Sequence, residues 1–229
     1  MKWVSIDGAE QPDMTGKTLI LPSCGTASAD RMTVDLLCFN FCKLVGRLIS
    51  NNLDFVASVD PFDPESKHLA SSIDVYVGEI PTYGSVIVLR VAANMPTPKR
   101  QILDYAREVM EFAKSSGIKQ ILLLRSVSSV FCVDSQIADW PRTIRGMGKI
   151  IEPLKIKQLE EYRPEQEILQ ASVLGEFFEC LRRIADVDFG AVFIFVHDGM
   201  VISDAAMTAQ IVSGKAELKI PECWKCLME

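Results

Sequence analysis

The apolar residues between Gly16 and Val59 fall into separate runs that differ in length and spacing. The short run GKTLILPSCG is continuous and is followed by small and polar residues, which predicts a buried strand. The long run that follows predicts a helix from Ala29 to Ser50, and LDFVASV predicts a second strand over Leu53–Val59. The order of these elements is typical of an α/β protein.

The predicted helix carries more apolar surface than one covered face requires. A surface helix needs an apolar arc of roughly 100°. Here Met32, Leu36 and Phe39 form one stripe, and further apolar residues lie outside it, namely Val34, Leu37, Phe41, Leu44, Val45 and Leu48. We therefore expect cover on two sides, one by the sheet and the other by more of this chain or by a partner protein. The candidate residues for a partner interface are Phe39, Phe41, Leu44 and Leu48.

The next segments predict a hairpin. Ile73, Val75 and Val77 alternate with polar neighbours, as in a strand with one solvated face, whereas residues 86–89 are continuously apolar, as in a strand covered on both faces. Thr82-Tyr83-Gly84 between them suits a turn, and the segment 60–72, rich in Asp, Pro and Ser, predicts a surface loop.

The remaining pattern alternates helices with strands. A helix that begins near Pro96 and Pro98 carries a stripe of Ile102, Ala106, Val109 and Ala113 and stops at Gly117. The other predicted elements are a strand over 120–124, an irregular excursion over about 127–170, a helix over 171–185, a strand over 190–196 and a helix over 203–212. We predict one α/β domain over residues 1–229, with a mainly parallel or mixed sheet flanked by helices.

Charge and composition narrow the classes of partner. The net charge of -6 argues against nucleic acid, which is bound through a basic surface. The longest apolar runs, such as AVFIFV, are far shorter than the ~20 residues of a membrane helix, so no membrane partner is expected. The first residues, MKWVSIDGAEQPDMTG, lack the apolar core of a secretory signal, and the seven cysteines lie in apolar contexts typical of reduced thiols. These features favour the cytoplasm.

Ser23 and Cys24 are candidate nucleophiles, because ligand sites of open α/β sheets lie in the loops after the strands. A small hydrolase or phosphorylase-like enzyme with its site in the loop 22–29 is therefore one interpretation. A nucleophile needs a base, and the chain has only His68 and His197 to offer as imidazoles. The other interpretation, which we prefer, is a capped loop with a buried thiol.

Other motifs are weaker. His197-Asp198 lacks further histidines for a metal site, and Cys223 and Cys226 have CxxC spacing without the strand-to-helix context of a redox pair or the second half of a zinc site. A basic cluster could bind phosphate, be a solvated surface, or dock on an acidic protein; its members are Arg142, Arg145, Lys149, Lys155 and Lys157. No catalytic residue, metal or cofactor is predicted.

Several runs together resemble the proteasome assembly chaperone family. They are GKTLILPSCGTASADRMTVDLLCFNFCKLVGRLISNNLDFVASVDPF, IDVYVGEIPTYGSVIVLRVAANMP, REVMEFAKSSGIKQILLLRSVSSVF, GAVFIFVHDGMVISDAAMTAQIV and KIPECW. The resemblance implies an α/β fold related to nucleoside phosphorylases and hydrolases. It also implies a non-catalytic protein that forms a heterodimer with proteasome assembly chaperone 1, binds the outer face of the proteasome α-ring, and acts in the cytoplasm or also in the nucleus. A homodimeric scaffold of the same superfamily is a further alternative.

The tail departs from the family pattern. Chaperones of this group are described as inserting a tail of hydrophobic residue, tyrosine and any residue between α subunits, whereas this chain ends Cys226-Leu227-Met228-Glu229. The resemblance therefore does not extend to tail insertion. We expect Trp224 and Leu227 to pack against the body of the protein instead.

Overall fold

An eight-stranded mixed sheet forms the centre of the molecule. The computed structural model describes residues 1–6, 8, 10–24, 28–63, 65, 69–96, 98–129, 143–159, 175, 177–183, 187–196 and 201–227. The strands are β1 (Lys2–Ser5), β2 (Thr18–Pro22), β3 (Cys42–Ile49), β4 (Ala57–Val59), β5 (Leu69–Ser71), β6 (Ile73–Ile80), β7 (Gly84–Val91), β8 (Gln120–Ser128), β9 (Thr143–Met147) and β10 (Asp188–Val196).

The helices alternate with groups of strands along the chain. They are α1 (Ala29–Phe41), α2 (Lys99–Ser115) and α3 (Val201–Ser213), with short 3-10 helices at Lys149–Leu154 and Glu222–Leu227. Residues 175 and 177–182 are also helical. Within the described part of the chain, no helix is long and apolar enough to span a membrane.

The sheet has a parallel centre and antiparallel flanks. Its order is β1-β3-β6-β7-β2-β8-β10-β9. The pairs β7–β2, β2–β8 and β8–β10 are parallel, and the pairs toward both edges are antiparallel. The prediction of a mixed sheet flanked by helices is confirmed.

Neighbouring residues of the central strands pack on opposite faces of the sheet. Leu19 and Leu21 of β2 contribute to a core with Tyr105 of α2, whereas Ile20 contributes to a second core with Val34 of α1. Because both faces are covered, the central strands are apolar at successive positions rather than at alternate ones. This explains the continuous apolar runs in the sequence.

Several predicted elements are confirmed with small shifts of their ends. The hairpin joins β6 to β7, and the amide of Tyr83 donates to the carbonyl of Ile80 at 3.0 Å. The predicted stripe of α2 is buried, and Gly117 follows the helix with a φ of 67°, a conformation that favours glycine. Helix α3 and strands β8 and β10 cover the segments predicted for them.

The long helix predicted from Ala29 to Ser50 is wrong in its second half. Helix α1 ends at Phe41, and strand β3 begins at the next residue, Cys42. Strand β3 pairs with both β1 and β6, and its side chains range from the buried Leu48 to the exposed Lys43 and Ile49. The broad apolar surface therefore belongs to two different elements and not to one helix covered on two sides.

The abrupt change from α1 to β3 depends on Gly78 of β6. A Cβ atom at Gly78 would lie 2.0 Å from the carbonyl oxygen of Phe41 and 2.8 Å from the Cα of Cys42. Both atoms belong to the backbone, which cannot move aside as a flexible side chain does. Only glycine fits at this position without displacing the junction.

Two further predictions are corrected. The segment predicted as a strand over Leu53–Val59 contributes only β4, which pairs with β5 in a separate two-stranded sheet outside the central one. Its strand β5 lies within the predicted loop 60–72. The irregular excursion predicted over about 127–170 contains the edge strand β9 and the 3-10 helix Lys149–Leu154.

Gly78→Ala should destabilise the protein by roughly 2–3 kcal/mol, because the added methyl group meets backbone atoms of Phe41 and Cys42. Glu79→Ala, in the same strand with an exposed side chain, serves as the matched control and should change stability by less than about 0.5 kcal/mol. Urea denaturation of the purified variants measures both values. Equal stability of the two variants would contradict the proposed constraint.

Candidate functional site

The loop after β2, where a nucleophile was considered, contains a buried hydrogen-bond network around Asp30. The hydroxyl of Ser23 donates to Oδ2 of Asp30 at 2.9 Å, and the hydroxyl of Ser126 in β8 donates to Oδ1 at 2.9 Å. The amide of Ser23 donates to the carbonyl of Leu124 at 2.8 Å. Asp30 lies in the first turn of α1, so its carboxylate fastens that helix to the ends of β2 and β8.

This network does not present a nucleophile. Ser23 and Asp30 have no exposed surface. Burial raises the pKa of the Cys24 thiol to about 12, so the thiol stays protonated and unreactive near neutral pH. His68 and His197 lie outside the described residues. The role of this hydrogen-bond network is therefore structural, since it holds α1 against the ends of β2 and β8.

A row of charged side chains crosses the antiparallel flank beneath α1. Arg47 of β3, Asp74 of β6 and Arg90 of β7 occupy paired positions on neighbouring strands. The Arg47 Nε and Asp74 Oδ1 atoms are 3.5 Å apart, and the Arg90 Nη1 and Asp74 Oδ2 atoms are 3.4 Å apart. Arg90 also pairs with Asp35 of α1, with 2.8 Å between Nε and Oδ1. The row ties α1 to the flank of the sheet.

The acidic members of this row are costly to bury. Desolvation raises the pKa of Asp35 to about 6, although the nearby Arg90 acts in the opposite direction. Burial also raises the pKa of Asp74, against the hydrogen bonds from Ser71 and the charges of Arg90 and Arg47. Arg90 itself lies beside two carboxylates, whose charges raise its pKa and keep it protonated.

The residues predicted to bind a partner do not form one helical face. Phe39 and Phe41 lie on α1, whereas Leu44 and Leu48 lie on β3. Phe39 is exposed and packs on Phe62, with 5.6 Å between ring centroids. Phe41 and Leu44 are half-buried, and Leu48 is only 2% exposed. Leu48 therefore belongs to the core and offers no surface to a partner.

A more exposed apolar surface lies on and beside the two-stranded sheet. We call Ile49, Phe55, Val59 and Leu69 the apolar patch. Phe55 is 78% exposed, Val59 61%, Leu69 56% and Ile49 45%. Val59 and Leu69 are paired across β4 and β5, and the Arg47 guanidinium donates to the carbonyl of Leu69, which brings this sheet against β3. Val59 and Leu69 are therefore neighbouring exposed apolar side chains, and exposed apolar residues of this size indicate a candidate binding surface.

Sequence reasoning missed the apolar patch, because it assigned LDFVASV to a core strand. The signal that could have revealed the patch is the polar residues on both sides of this segment. Asn51, Asn52 and Asp54 lie on one side and Asp60 on the other, so the strand between them, β4, is short. Polar residues so close together leave too few positions for a central strand.

Comparison with known proteins gives two similar sequences, both named proteasome assembly chaperone 2. The protein from Nematostella vectensis is 25% identical over 217 residues, which cover 84% of this chain and 86% of that protein. The protein from Mus musculus is 24% identical over 137 residues, which cover 58% of this chain and 50% of that protein. This chain is similar in sequence to the proteasome assembly chaperones. No family model matches it.

Solved structures share the fold of this chain. Pyrococcus furiosus PbaB, an archaeal proteasome activator, has 14% sequence identity and a TM-score of 0.61, covering 94% of this chain and 90% of its own. Pyrococcus furiosus PbaA, an archaeal homolog of proteasome-assembly chaperone, has 13% identity and a TM-score of 0.57, covering 95% and 88%. At this identity the likeness concerns the fold.

The closing segment of this chain is held against α1. The side-chain amide of Asn40 donates to the carbonyl of Lys219 at 2.9 Å, and the amide of Lys219 donates back to Asn40 Oδ1 at 2.8 Å. The thiol of Cys223 donates to the carbonyl of Pro61 at 3.3 Å. Trp224 is buried in the core on the α1 side, which confirms the prediction that it packs against the body.

The other candidate motifs do not assemble into a metal or phosphate site among the described residues. No group of three or more His, Cys, Asp and Glu side chains is placed to hold a metal within the part of the chain that the structure covers. Of the basic cluster, Arg145 is buried in β9, while Lys149, Lys155 and Lys157 are exposed. Arg142, Asp198 and the last two residues lie outside the described residues.

Cys24 should resist alkylation in the native protein, because its thiol is buried and its pKa is raised to about 12. After treatment with iodoacetamide, mass spectrometry should find the peptide that contains Cys24 unmodified in native samples and modified in samples unfolded in guanidinium chloride. The unfolded sample is the control for reagent and detection. Rapid modification of native Cys24 would favour the enzyme interpretation.

Proposed function

We propose that this chain is a non-catalytic chaperone of 20S proteasome assembly. It acts as a heterodimer with proteasome assembly chaperone 1 and binds the proteasome α-ring, promoting the correct order of α subunits. The observation that carries the proposal is the similarity to proteasome assembly chaperone 2 of Nematostella vectensis along 84% of the chain. The proposed site of action is the cytoplasm, and also the nucleus.

The loop after β2, in which Ser23 and Cys24 were considered as nucleophiles, has properties that agree with a binding role. Ser23 is fully buried and its hydroxyl is committed to Asp30. Cys24 is buried with a raised pKa. A substrate has no access to either side chain, and a nucleophile needs both access and an activating base.

The proposed surface for the partner differs from the one expected from the sequence. We assign it to the apolar patch together with Phe39, and we leave out Leu48 because it is buried. Large apolar side chains that are more than half exposed are unfavourable in water, and burial of each stabilises an interface by roughly 1.5–3 kcal/mol. Phe55, Val59 and Leu69 meet this description.

Co-expression tests the heterodimer. The wild-type chain should form a one-to-one complex with proteasome assembly chaperone 1, measured by size-exclusion chromatography with light scattering. The double variant Phe55→Asp with Val59→Asp should reduce recovery of the partner at least about tenfold, since charged residues in an apolar interface leave unpaired charges. Exposed positions tolerate substitution, so folding should be preserved.

Ser58→Asp is the matched control. Ser58 is exposed and lies between Phe55 and Val59 in the sequence, and its side chain alternates to the other face of β4. It introduces one negative charge, against two in the double variant, and should leave the complex intact. Equal loss in both variants would remove the apolar patch from the interface. A stable homodimer that ignores the co-expressed partner would favour the homodimeric scaffold.

A further inference from the structure

A pocket of about 160 Å³ opens where β2 and β7 end, beneath α1. Its polar lining comes from Arg31 and Asp35 of α1 and Arg90 of β7, and its apolar lining includes Val34 and Val91. The volume is several times the roughly 30 Å³ that a water molecule occupies in the liquid, so the pocket admits a small organic molecule. It lies beside the buried network of Ser23 and Asp30 but does not include either side chain.

Arg31 is only partly satisfied by the protein. Its Nη2 donates to the carbonyl of Ala93 at 3.0 Å, and its Nη1 is 3.3 Å from Oδ1 of Asn94. Within the part of the chain that the structure describes, its Nε atom is buried and has no hydrogen-bond partner. No described carboxylate forms an ion pair with Arg31. A buried charged donor that lacks an acceptor is costly, which indicates that an acceptor is supplied from elsewhere.

The charged side chains that line the pocket are two guanidinium groups, Arg31 and Arg90, and one carboxylate, Asp35. Arg90 is paired with Asp35 and with Asp74, and Asp74 is shared with Arg47. The buried carboxylate of Asp30, next to Arg31 in the chain, accepts hydrogen bonds from Ser23 and Ser126. Arg31 is therefore the guanidinium group of the lining that forms no ion pair with a described carboxylate.

We propose that this pocket binds a small oxyanion, a molecule whose carboxylate or phosphate group accepts from Nε of Arg31 while its apolar part lies against Val34 and Val91. The planar guanidinium suits oxyanions of both kinds. The site goes beyond the proposed chaperone function, because it requires no partner protein.

The bound group would lie between α1 and the end of β7. Helix α1 also carries Phe39 at its far end, so a ligand in the pocket stabilises the helix that contributes to the proposed partner surface. By mass action, a ligand that binds only the folded protein raises its melting temperature.

Binding should strengthen as the pH falls. Asp35 faces the pocket with a pKa of about 6, and its negative charge opposes an anion. The other charged groups around it are Arg31 on α1, Arg90 on β7 and Asp74 on β6. Protonation of Asp35 therefore removes one negative charge from beside the ligand.

Isothermal titration at constant ionic strength, with sulfate and acetate as separate probes, tests the proposal. Both probes keep their charge between about pH 5.5 and about pH 7.5, so a pH dependence reports the protein. Saturable binding that is tighter at the lower pH is expected for at least one probe. Binding of sulfate alone indicates a phosphate-type ligand, and binding of acetate alone indicates a carboxylate-type ligand.

Variants separate this site from general attraction of anions. Arg31→Gln, which retains an amide that can donate to Ala93, should lower the affinity by about tenfold or more. Arg100→Ala removes an exposed arginine of α2 and should leave the affinity unchanged. Asp35→Asn should bind more tightly at about pH 7.5 and lose the pH dependence.

The proposal is overturned if neither probe binds saturably, if Arg31→Gln binds as the wild type does, or if Arg31→Gln and Arg100→Ala lose affinity equally. Circular dichroism of each variant checks that it is folded. Because Asp35→Asn tests the pocket through a gain of affinity, the proposal stays testable even if Arg31→Gln fails to fold. Failure here leaves the chaperone function untouched, since that function is tested by complex formation.

Discussion

The close approach of the Phe41 carbonyl to Gly78 is the constraint on which the flank of the sheet depends. It lets α1 pass into β3 without a connecting loop, and it fixes the start of β3 against β6. With β3 placed, β1 has a strand to pair with, and the two-stranded sheet of β4 and β5 is brought to the outside of the molecule. The exposed apolar residues therefore owe their position to this junction.

The buried charged row is the second consequence of that placement. Arg47, Asp74 and Arg90 align only because β3, β6 and β7 are paired in register. Buried ion pairs cost desolvation and often contribute little to stability, whereas breaking one leaves an uncompensated charge. Here the ion pair between Asp35 and Arg90 specifies how α1 packs on the flank of the sheet, because Asp35 can reach Arg90 in only one arrangement of the helix. Arg31, which forms no ion pair with a described carboxylate, lines the pocket beside this row.

The centre of the fold could be predicted from the sequence because its signals are local. The buried stripe of α2 and the continuous apolar runs of β2, β7 and β10 follow directly from spacing and burial. The end of α1 could not be predicted, because apolar residues every three or four positions continue through β3, and what ends the helix is Gly78, distant in sequence. Long-range contacts of this kind override local periodicity. The candidate surface was missed for the same reason. Whether Phe55 and Val59 are buried or exposed depends on whether β4 joins the central sheet.

We propose that this chain works by binding proteasome subunits and not by catalysis. Affinity purification of the tagged chain from cells, with quantitative mass spectrometry of the recovered proteins, tests this proposal. Proteasome α subunits and proteasome assembly chaperone 1 should be recovered in clear excess over the β subunits of the finished particle. Recovery of the folded chain without proteasome α subunits would contradict it.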